Sequence, residues 1–305
     1  MYYFIVNPKS SSGKGAKIWD ALEQKLRKKK ISYEVFFTKG ILHAAELANT
    51  LINSKTPCTI VAVGGDGTAN EVINGLAAGS GITFGYIPTG SSNDLARGLG
   101  LPSDPLQALE IILNPTRIHD MRIGINSSGT AARHFAVSTG IGFDAAVCHE
   151  ALHSRLKKIL NKFRLGKLTY TGIALRQLIR LKPSAMELVL DNQKKFFYRN
   201  VYLISVMNVK YEGGGLMFCP EAVSDDDYLD ICVVENISKF NMLRLLPLAF
   251  QGKHIHAKGV HIFRCHTAVI RSDVSLPVHT DGESHGHWDH ITVTLDTAHL
   301  SFITG

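Results

Sequence analysis

Short apolar runs and helix-like segments alternate along the first 120 residues. Apolar side chains recur at steps of four at Ile18, Leu22 and Leu26, which predicts a helix over 14–30. Residues 59–63 are a continuous apolar run, typical of a strand buried on both faces of a parallel sheet. Further strands are predicted at 2–6, 33–37 and 83–87, and further helices at 43–52, 68–78 and 94–99. This alternation predicts a doubly wound α/β domain.

The pattern changes after residue 120. Short strands with polar or glycine breaks are predicted at 134–138, 186–190, 196–206, 228–234, 260–264, 268–272 and 291–296, and helices at 150–163 and 170–181. Such strands favour an antiparallel β-sandwich. We therefore predict two lobes with an interdomain cleft: an α/β nucleotide-binding domain over 1–121, with a last strand at about 297–305 as a candidate to return to it, and a β-sandwich domain over 122–296.

Composition narrows the class of protein. The chain has 305 residues, of which 45% are hydrophobic and 19% charged, a globular balance. The start shows no signal peptide, and no apolar run approaches the 18–20 or so residues that span a bilayer. Five cysteines are scattered singly, which favours a reducing compartment over disulfides or zinc. We expect a cytoplasmic protein.

The net charge of +7 is concentrated in one segment. Residues 151–186 contain no acid and nine basic residues: Arg155, Lys157, Lys158, Lys162, Arg164, Lys167, Arg176, Arg180 and Lys182. Such a segment indicates an anionic partner, either lipid or nucleic acid, and the plain alternative is a solvated helical face. No helix-turn-helix or RNA-binding signature accompanies it, so docking on anionic lipid at the inner face of the membrane is favoured over nucleic acid.

The strongest chemical motif is a glycine-rich turn between a buried strand and a helix, made of Gly64, Gly65, Asp66, Gly67 and Thr68. Glycines at the carboxyl end of a parallel strand let backbone N–H groups approach a phosphate, and the following helix adds its positive N-terminus. Thr68 and Glu71 also have the spacing of a capping box.

Two more loops follow strands and open helices. The first contains Asn7, Pro8, Lys9, Ser10 and Ser11, and the second runs over 88–94 with Thr89 near its start. Each alone is an ordinary turn signal. Because open α/β sheets bind ligands at the carboxyl edge of their strands, the three loops together predict a phosphate site.

Two carboxylates stand in a late turn, at Asp281 and Glu283. Phosphoryl transfer to an alcohol needs a proton acceptor and acids that hold Mg²⁺, so this pair is a candidate. The alternative is a plain Asp-Gly hairpin turn. The nearby His285–His290 run is better interpreted as surface histidines than as a transition-metal site.

These motifs, together with Thr38, Gly213–Gly215, Pro220-x-Ala222 and Gly252–His254, occur in an order that resembles the diacylglycerol kinase catalytic-domain superfamily. The chain is most similar to bacterial soluble lipid kinases of the diacylglycerol kinase B type, and more distantly to sphingosine and ceramide kinases. The resemblance covers essentially the whole chain. It implies an ATP-dependent lipid kinase that uses Mg²⁺ and phosphorylates the hydroxyl of diacylglycerol or a related lipid, and it leaves a homodimer open.

The resemblance also implies roles for individual residues. ATP contacts fall on Asn7, Pro8, Lys9, Ser10, Ser11, Thr38, Gly64, Gly65, Asp66, Gly67, Thr68, Ala69, Asn70 and Thr89. Glu283 is the implied proton acceptor with Asp281 beside it, and Asp66 is implicated as the base in the sphingosine kinase branch. Asp66, Asp94 and Asp120 would order Mg²⁺ and water. A structural Mg²⁺ would take the Asp226 side chain and the carbonyls of Val223 and Tyr228.

Two departures from the family pattern and two rival functions stay open. Ser11 stands where the family has glycine. Asp225-Asp226-Asp227 replaces the usual Asp-Gly of the metal turn, so Asp227 is expected to need a left-handed backbone. Which of these three acids would bind the metal is undecided. The rivals are a soluble-substrate kinase that shares the glycine turn, such as an NAD kinase, and a non-catalytic nucleotide-binding regulator.

Overall fold

A computed structural model describes residues 1–54, 58–76, 81–129, 131–153, 166–180 and 182–305. The chain divides into two compact units: Met1–Ile123 with Asp296–Gly305, and Gly124–Leu295. The described strands are β1 (Tyr2–Val6), β2 (Tyr33–Phe37), β3 (Thr59–Gly64), β4 (Thr83–Pro88), β5 (Ile118–Ser128), β6 (Ala131–Phe135), β7 (Ser138–Gly142), β8 (Ser184–Leu190), β9 (Lys194–Met207), β10 (Leu229–Glu235), β11 (Val260–Cys265), β12 (Thr267–Thr280) and β13 (Glu283–Ile303). The described helices are α1 (Ser10–Gly13), α2 (Gly15–Lys28), α3 (His43–Ser54), α4 (Asp66–Leu76), α5 (Asp94–Gly98), α6 (Pro105–Leu113), α7 (Phe143–His153), α8 (Gly166–Arg180) and α9 (Lys239–Ala249), with a 3₁₀ turn at Lys253–His256.

The first unit is built on a parallel sheet in the order β2-β1-β3-β4-β13, to which β13 contributes only its last residues. Strand β3 is buried from Ile60 to Gly64, as its apolar sequence predicts. Helices α3 and α4 pack together, and α2 packs against α6. Because the strands are parallel, the ends of β1, β3 and β4 reach the same edge of this sheet.

Local sequence explains where the helices of this unit begin and end. Helix α2 buries Trp19, Leu22 and Leu26 on one face, and basic residues occupy its last turn, where the helix dipole favours them. Helix α6 starts with Pro105, and the Asp104 side chain caps it by accepting the N–H of Gln107 at 2.8 Å.

The second unit is antiparallel. Its strands pair in the order β11-β10-β9-β7-β12, with β8 against both β9 and β12 and with β5 and β6 forming a hairpin. Strand β9 alternates its side chains: Ile204 and Val206 enter a core with β12 and β13, whereas Leu203 and Met207 pack with α8 and α9. This unit therefore has apolar material on both faces of β9.

The structure modifies several predicted elements. The strands predicted at 268–272 and 291–296 are parts of the longer β12 and β13, and β5 was not predicted. The helix predicted at 150–163 is described only as α7 to His153, and its remainder lies outside the described residues. Among the described helices, none combines the length and the apolar character that crossing a bilayer requires.

Candidate functional site

The three phosphate-loop candidates meet at one edge of the parallel sheet in the first unit. The Asn7 side-chain amide donates to Thr68 Oγ1 at 3.0 Å, and the Thr89 hydroxyl donates to Ser10 Oγ at 2.8 Å. Gly65 and Gly90 approach so closely that a Cβ on Gly90 would lie 2.8 Å from the Gly65 Cα. The loops after β1, β3 and β4 are thus hydrogen-bonded and packed into one surface. The sequence predicted this convergence.

Asp66 is the side chain that ties the glycine turn to the third loop. Its carboxylate accepts the backbone N–H groups of Asp94 at 3.1 Å and Leu95 at 3.3 Å, which are the first donors of α5. Asp94 is itself buried and pairs with Arg97 at 2.8 Å. A carboxylate at a helix N-terminus is favoured by the dipole and by the otherwise unpaired N–H groups. The structure therefore places Asp66 and Asp94 side by side.

The remaining predicted nucleotide residues lie around the same edge. The Lys9 N–H donates to Asn7 Oδ1 at 3.0 Å, the Pro8 carbonyl accepts the Ala16 N–H at 3.2 Å, and the Thr38 N–H donates to the Val6 carbonyl at 2.9 Å. Gly67, Ala69 and Asn70 belong to the first turns of α4.

The predicted capping box of α4 is wrong. The helix begins at Asp66, two residues before Thr68. The Glu71 carboxylate accepts the N–H of Ala44 at 3.2 Å, on α3, and Thr68 Oγ1 accepts from Asn7. Both side chains therefore form hydrogen bonds with residues of other elements. The capping-box rule considers only residues within one helix turn, so it does not predict such contacts.

The first loop contains α1, which is not a regular helix, and it carries backbone strain. Ser11 and Ser12 have φ of 53° and 56°, in the left-handed region, and Gly13 follows with φ of 89°. Only glycine adopts this region without steric cost. The serine at position 11, where the resemblance expects glycine, therefore sits in a conformation that favours glycine.

In the second unit, the late acidic turn is a two-residue hairpin between β12 and β13. Asp281 and Gly282 have φ of 49° and 78°, as a type I′ turn requires. The Asp281 carboxylate accepts the N–H groups of Ala136 at 2.9 Å, Val137 at 2.8 Å and Ser138 at 3.0 Å. Asp281 thereby fixes the turn that carries Glu283. The backbone is thus the plain Asp-Gly hairpin turn that was the alternative interpretation. Within it, the hydrogen bonds of Asp281 hold the turn in position.

A buried cluster that the sequence did not predict lies next to this turn. His279 Nε2 lies 3.1 Å from Glu212 Oε1 and 3.3 Å from Asp144 Oδ2, and all three side chains are buried. A Cβ on Gly140 would come within 2.7 Å of His279 Nε2, so the cluster needs glycine there. The available signals were a histidine two residues before Asp281 and an acid two residues after the end of β7, but nothing in the sequence brings Glu212 to them.

The hydrogen bonds of this cluster distinguish the two imidazole nitrogens. The Gly282 N–H donates to His279 Nδ1 at 3.2 Å, which opposes a proton on that nitrogen although the two carboxylates favour a charged ring. The nitrogen that faces the two carboxylates as a donor is therefore Nε2. Burial raises the pKa of the Asp144 carboxyl above its usual range. Among the described residues these three are the one His/Cys/Asp/Glu group close enough to hold a metal.

The predicted metal turn is held by a guanidinium. Asp226 Oδ1 accepts the Tyr228 N–H at 2.9 Å, and its other oxygen pairs with Arg264, which also lies over the Tyr228 ring at 4.5 Å. A metal ion bound by Asp226, Val223 and Tyr228 would have to displace Arg264, so these contacts as they stand do not fit one. The metal role of these three residues stays a prediction.

Three further expectations have mixed outcomes. Asp227 is not among the described non-glycine residues with positive φ, so the expected left-handed backbone is wrong; its carbonyl accepts from His266 Nδ1 at 2.7 Å. Asp120 pairs with His299 at 2.8 Å, a partner that sequence analysis did not foresee. The His285–His290 run lies along β13, where the His287 ring meets His149 at 5.3 Å.

The basic segment 151–186 is described only in part. Arg155, Lys157, Lys158, Lys162 and Arg164 lie outside the described residues. Within the described part, Arg176 pairs with Glu150 at 2.5 Å, an acid one residue before the segment.

Comparison with known proteins follows the division into two units. Residues 1–124 match the model of the diacylglycerol kinase catalytic domain, and residues 137–299 match that of the YegS C-terminal NAD kinase beta sandwich-like domain. A Bacillus subtilis (strain 168) protein named "Putative lipid kinase YtlR" is 29% identical over 290 residues, 93% of this chain and 94% of the relative. A diacylglycerol kinase of Mycobacterium tuberculosis (H37Rv) is 29% identical over 281 residues, 92% of this chain and 87% of the relative.

Solved structures agree on the fold. A diacylglycerol kinase from Bacillus anthracis (Sterne) has a TM-score of 0.71 at 21% identity, covering 100% of this chain and 96% of that one. An NAD kinase from Archaeoglobus fulgidus in complex with ATP has a TM-score of 0.53 at 15% identity, covering 99% and 93%. The predicted α/β domain followed by a β-sandwich-like domain is confirmed. The chain belongs to the diacylglycerol kinase catalytic-domain family of lipid kinases.

Proposed function

We propose that this lipid kinase transfers the γ-phosphate of ATP to the hydroxyl of diacylglycerol or a related membrane lipid. The observation that carries the proposal is the joining of three phosphate-loop candidates at one sheet edge, with Asp66 capping α5 between them. The ATP in the NAD kinase neighbour supports the choice of nucleotide.

The donor side of the reaction is assigned to the first unit. Backbone N–H groups of Gly65 to Thr68 and the N-terminus of α4 would hold phosphate oxygens. Asn7 orients Thr68, and Thr89 orients Ser10, through the hydrogen bonds already described. The side chains around the phosphates are therefore fixed before nucleotide arrives, which lowers the cost of positioning it.

The reaction is an in-line displacement. The lipid hydroxyl oxygen forms a bond to the γ-phosphorus, the bond from that phosphorus to the bridging oxygen breaks, and ADP leaves with the electron pair. We assign the hydroxyl proton to the Glu283 carboxylate, whose turn is fixed by Asp281. Asp66 has carboxylate oxygens of the kind Mg²⁺ prefers, and Asp94, of which one oxygen pairs with Arg97, lies beside it. Mg²⁺ would offset charge on the phosphates.

A lipid acceptor implies that the kinase meets its substrate at a membrane surface. We propose that the protein is cytoplasmic and binds the inner face of the membrane, with the basic segment 151–186 contributing to the attraction. Diacylglycerol is the first substrate to test, and sphingoid bases, monoacylglycerol, polyprenol and phosphatidylglycerol are the competing acceptors.

The test is phosphorylation of a total lipid extract with γ-labelled ATP, followed by identification of the labelled product. Glu283→Gln and Asp66→Asn should each lower kcat at least about a hundredfold, since each removes a group assigned to the reaction. Near-normal turnover in either variant would remove that residue from the catalytic assignment. When NAD⁺ is added to the same assay, label in NADP⁺ rather than in any lipid would favour the soluble-substrate alternative. ATP binding without any product would favour a regulator.

A further inference from the structure

Helix α9 of the second unit exposes an apolar face. Met242 and Ala249 point inward and are buried. Phe240 is 66% exposed, and Leu243, Leu248 and Phe250 are also exposed in the described part of the chain. An 11-residue helix with large apolar side chains on both its inner and its outer face is unusual for a protein surface in water.

Helix α8 extends this face. Its Leu178 shares a core cluster with Met242, so the inner sides of the two helices belong to the same packing. The Lys239 ammonium donates to the Ile179 carbonyl at 2.6 Å, which joins the end of α8 to the start of α9. Ile179 is 68% exposed, and Leu175 is exposed one turn before it. The outer sides of α8 and α9 thus supply adjacent apolar residues.

The same face is basic. No Asp or Glu occurs between Lys239 and Ser272, nor between Ala151 and Met186. The Arg244 guanidinium lies 5.2 Å from the centre of the Phe240 ring, and Arg180 lies next to Ile179 on α8. Exposed apolar side chains therefore lie beside cations. Neither helix contains an acid, and Glu150 of α7 pairs with Arg176 alone among the described cations of these helices.

This combination distinguishes between anionic partners. A nucleic acid would use the cations and could stack on Phe240, but it offers nothing to exposed leucines and isoleucines. An anionic bilayer uses both: the phosphates attract the cations, and the boundary between headgroups and acyl chains accepts Phe, Leu and Ile. The face has the chemistry of an interfacial helix.

We propose that α8 and α9 form a docking surface for anionic lipid bilayers, with Phe240, Leu243 and Ile179 entering the boundary between headgroups and acyl chains. The proposal goes beyond the basic segment 151–186, because it places the apolar contact on α9. It rests on the proposed function only in that a lipid substrate gives docking a purpose.

The test is vesicle co-sedimentation of the full chain with phosphatidylcholine alone and with about one third phosphatidylglycerol, at about 0.1 M and about 0.5 M salt. Phe240→Ser/Leu243→Ser should lower binding to the anionic vesicles at least tenfold, since each large apolar side chain adds about tenfold to partitioning. Phe197→Ser is the matched control, because Phe197 is 69% exposed but lies on β9 opposite Glu187. It should bind like the unmodified protein.

Three results would overturn the proposal: unchanged binding by Phe240→Ser/Leu243→Ser, an equal loss in Phe197→Ser, or equal binding to neutral and anionic vesicles. Loss of a dimer in the double variant, measured by light scattering without vesicles, would instead assign the face to a second copy of the chain. Phosphorylation of a short-chain lipid that dissolves as monomers tests the proposed function without any membrane, and so separates it from the docking proposal. The double variant should phosphorylate it normally, whereas failure of the unmodified protein to phosphorylate any lipid would refute the kinase assignment and leave the vesicle result standing.

Discussion

The contacts of Asp281 make a prediction that separates its structural role from catalysis. Asparagine has the size and shape of aspartate, but it offers one oxygen and an NH₂ group. In the structure one carboxylate oxygen accepts Val137 and Ser138, and the other accepts Ala136. In Asp281→Asn the NH₂ group would therefore face at least one backbone N–H, and that donor would lose its partner.

The magnitude follows from these contacts. A hydrogen bond to a charged group contributes about 1.5–3 kcal/mol, and a buried unpaired donor costs about 1–3 kcal/mol. Asn-Gly is itself a favoured sequence for a type I′ turn, and this preference offsets part of the lost hydrogen-bond energy. The offset is only partial because Asp already tolerates the same turn conformation. We expect Asp281→Asn to lower the free energy of unfolding of the second unit by about 2–4 kcal/mol. Asp281→Ala should cost more, since it also places alanine at positive φ.

The assay is urea unfolding followed by tryptophan fluorescence. The chain has two tryptophans, Trp19 in the first unit and Trp288 in the second, so a Trp19→Phe background leaves Trp288 as the reporter of the second unit. Glu283→Gln in the same background is the control, because it should lose turnover while its unfolding midpoint stays nearly unchanged. If Asp281→Asn were as stable as its parent while losing turnover, Asp281 would be a catalytic group and the positioning argument would be refuted.

Three other substitutions test the structure independently. Ser11→Gly should raise the free energy of unfolding of the first unit by about 1 kcal/mol, because it relieves a left-handed serine; a loss of stability would contradict the loop conformation. Gly140→Ala should lower the free energy of unfolding of the second unit by about 3 kcal/mol or more, since the added Cβ meets the buried His279 cluster; a variant with the parent midpoint would show that the cluster is not packed as described. Burial raises the pKa of Asp230 to about 6, so the folded state favours its protonated form and stability should fall as pH rises from about 4 to above 6. Asp230→Asn should flatten that dependence in unfolding curves measured across this range, and an unchanged slope would exclude Asp230 as its source.

The sequence predicted the features that depend on neighbours along the chain. The buried strand at 59–63, the glycines after it and the two companion loops are local patterns, and parallel strands bring their ends together by geometry. Residues 144, 212 and 279 form a cluster only because β7, β9 and β12 pair, and pairing between distant strands leaves little trace in one sequence. Glu71 shows the same limit: its spacing to Thr68 suggested a cap, but Ala44 on another helix offered a better-placed donor.

The kinase function came from the resemblance rather than from periodicity or charge. Patterns in the sequence indicated a phosphate site and an anionic partner, and they left open the acceptor. The positive φ of Ser11 agrees with the glycine that the family has at that position, whereas the pairing of Asp226 with Arg264 is a contact that the family pattern did not predict.

Strand β13 has a consequence for how the protein is made. Its first part pairs with β12 in the second unit, and its last residues, Ser301 and Phe302, pair with β4 in the first. During synthesis the open edge of β4 therefore waits for more than two hundred residues to be translated before its partner leaves the ribosome. An unpaired edge strand is a template for aggregation, so the nascent chain is most exposed to mispairing at β4, and a protein cut off after residue 123 would keep that edge uncovered permanently.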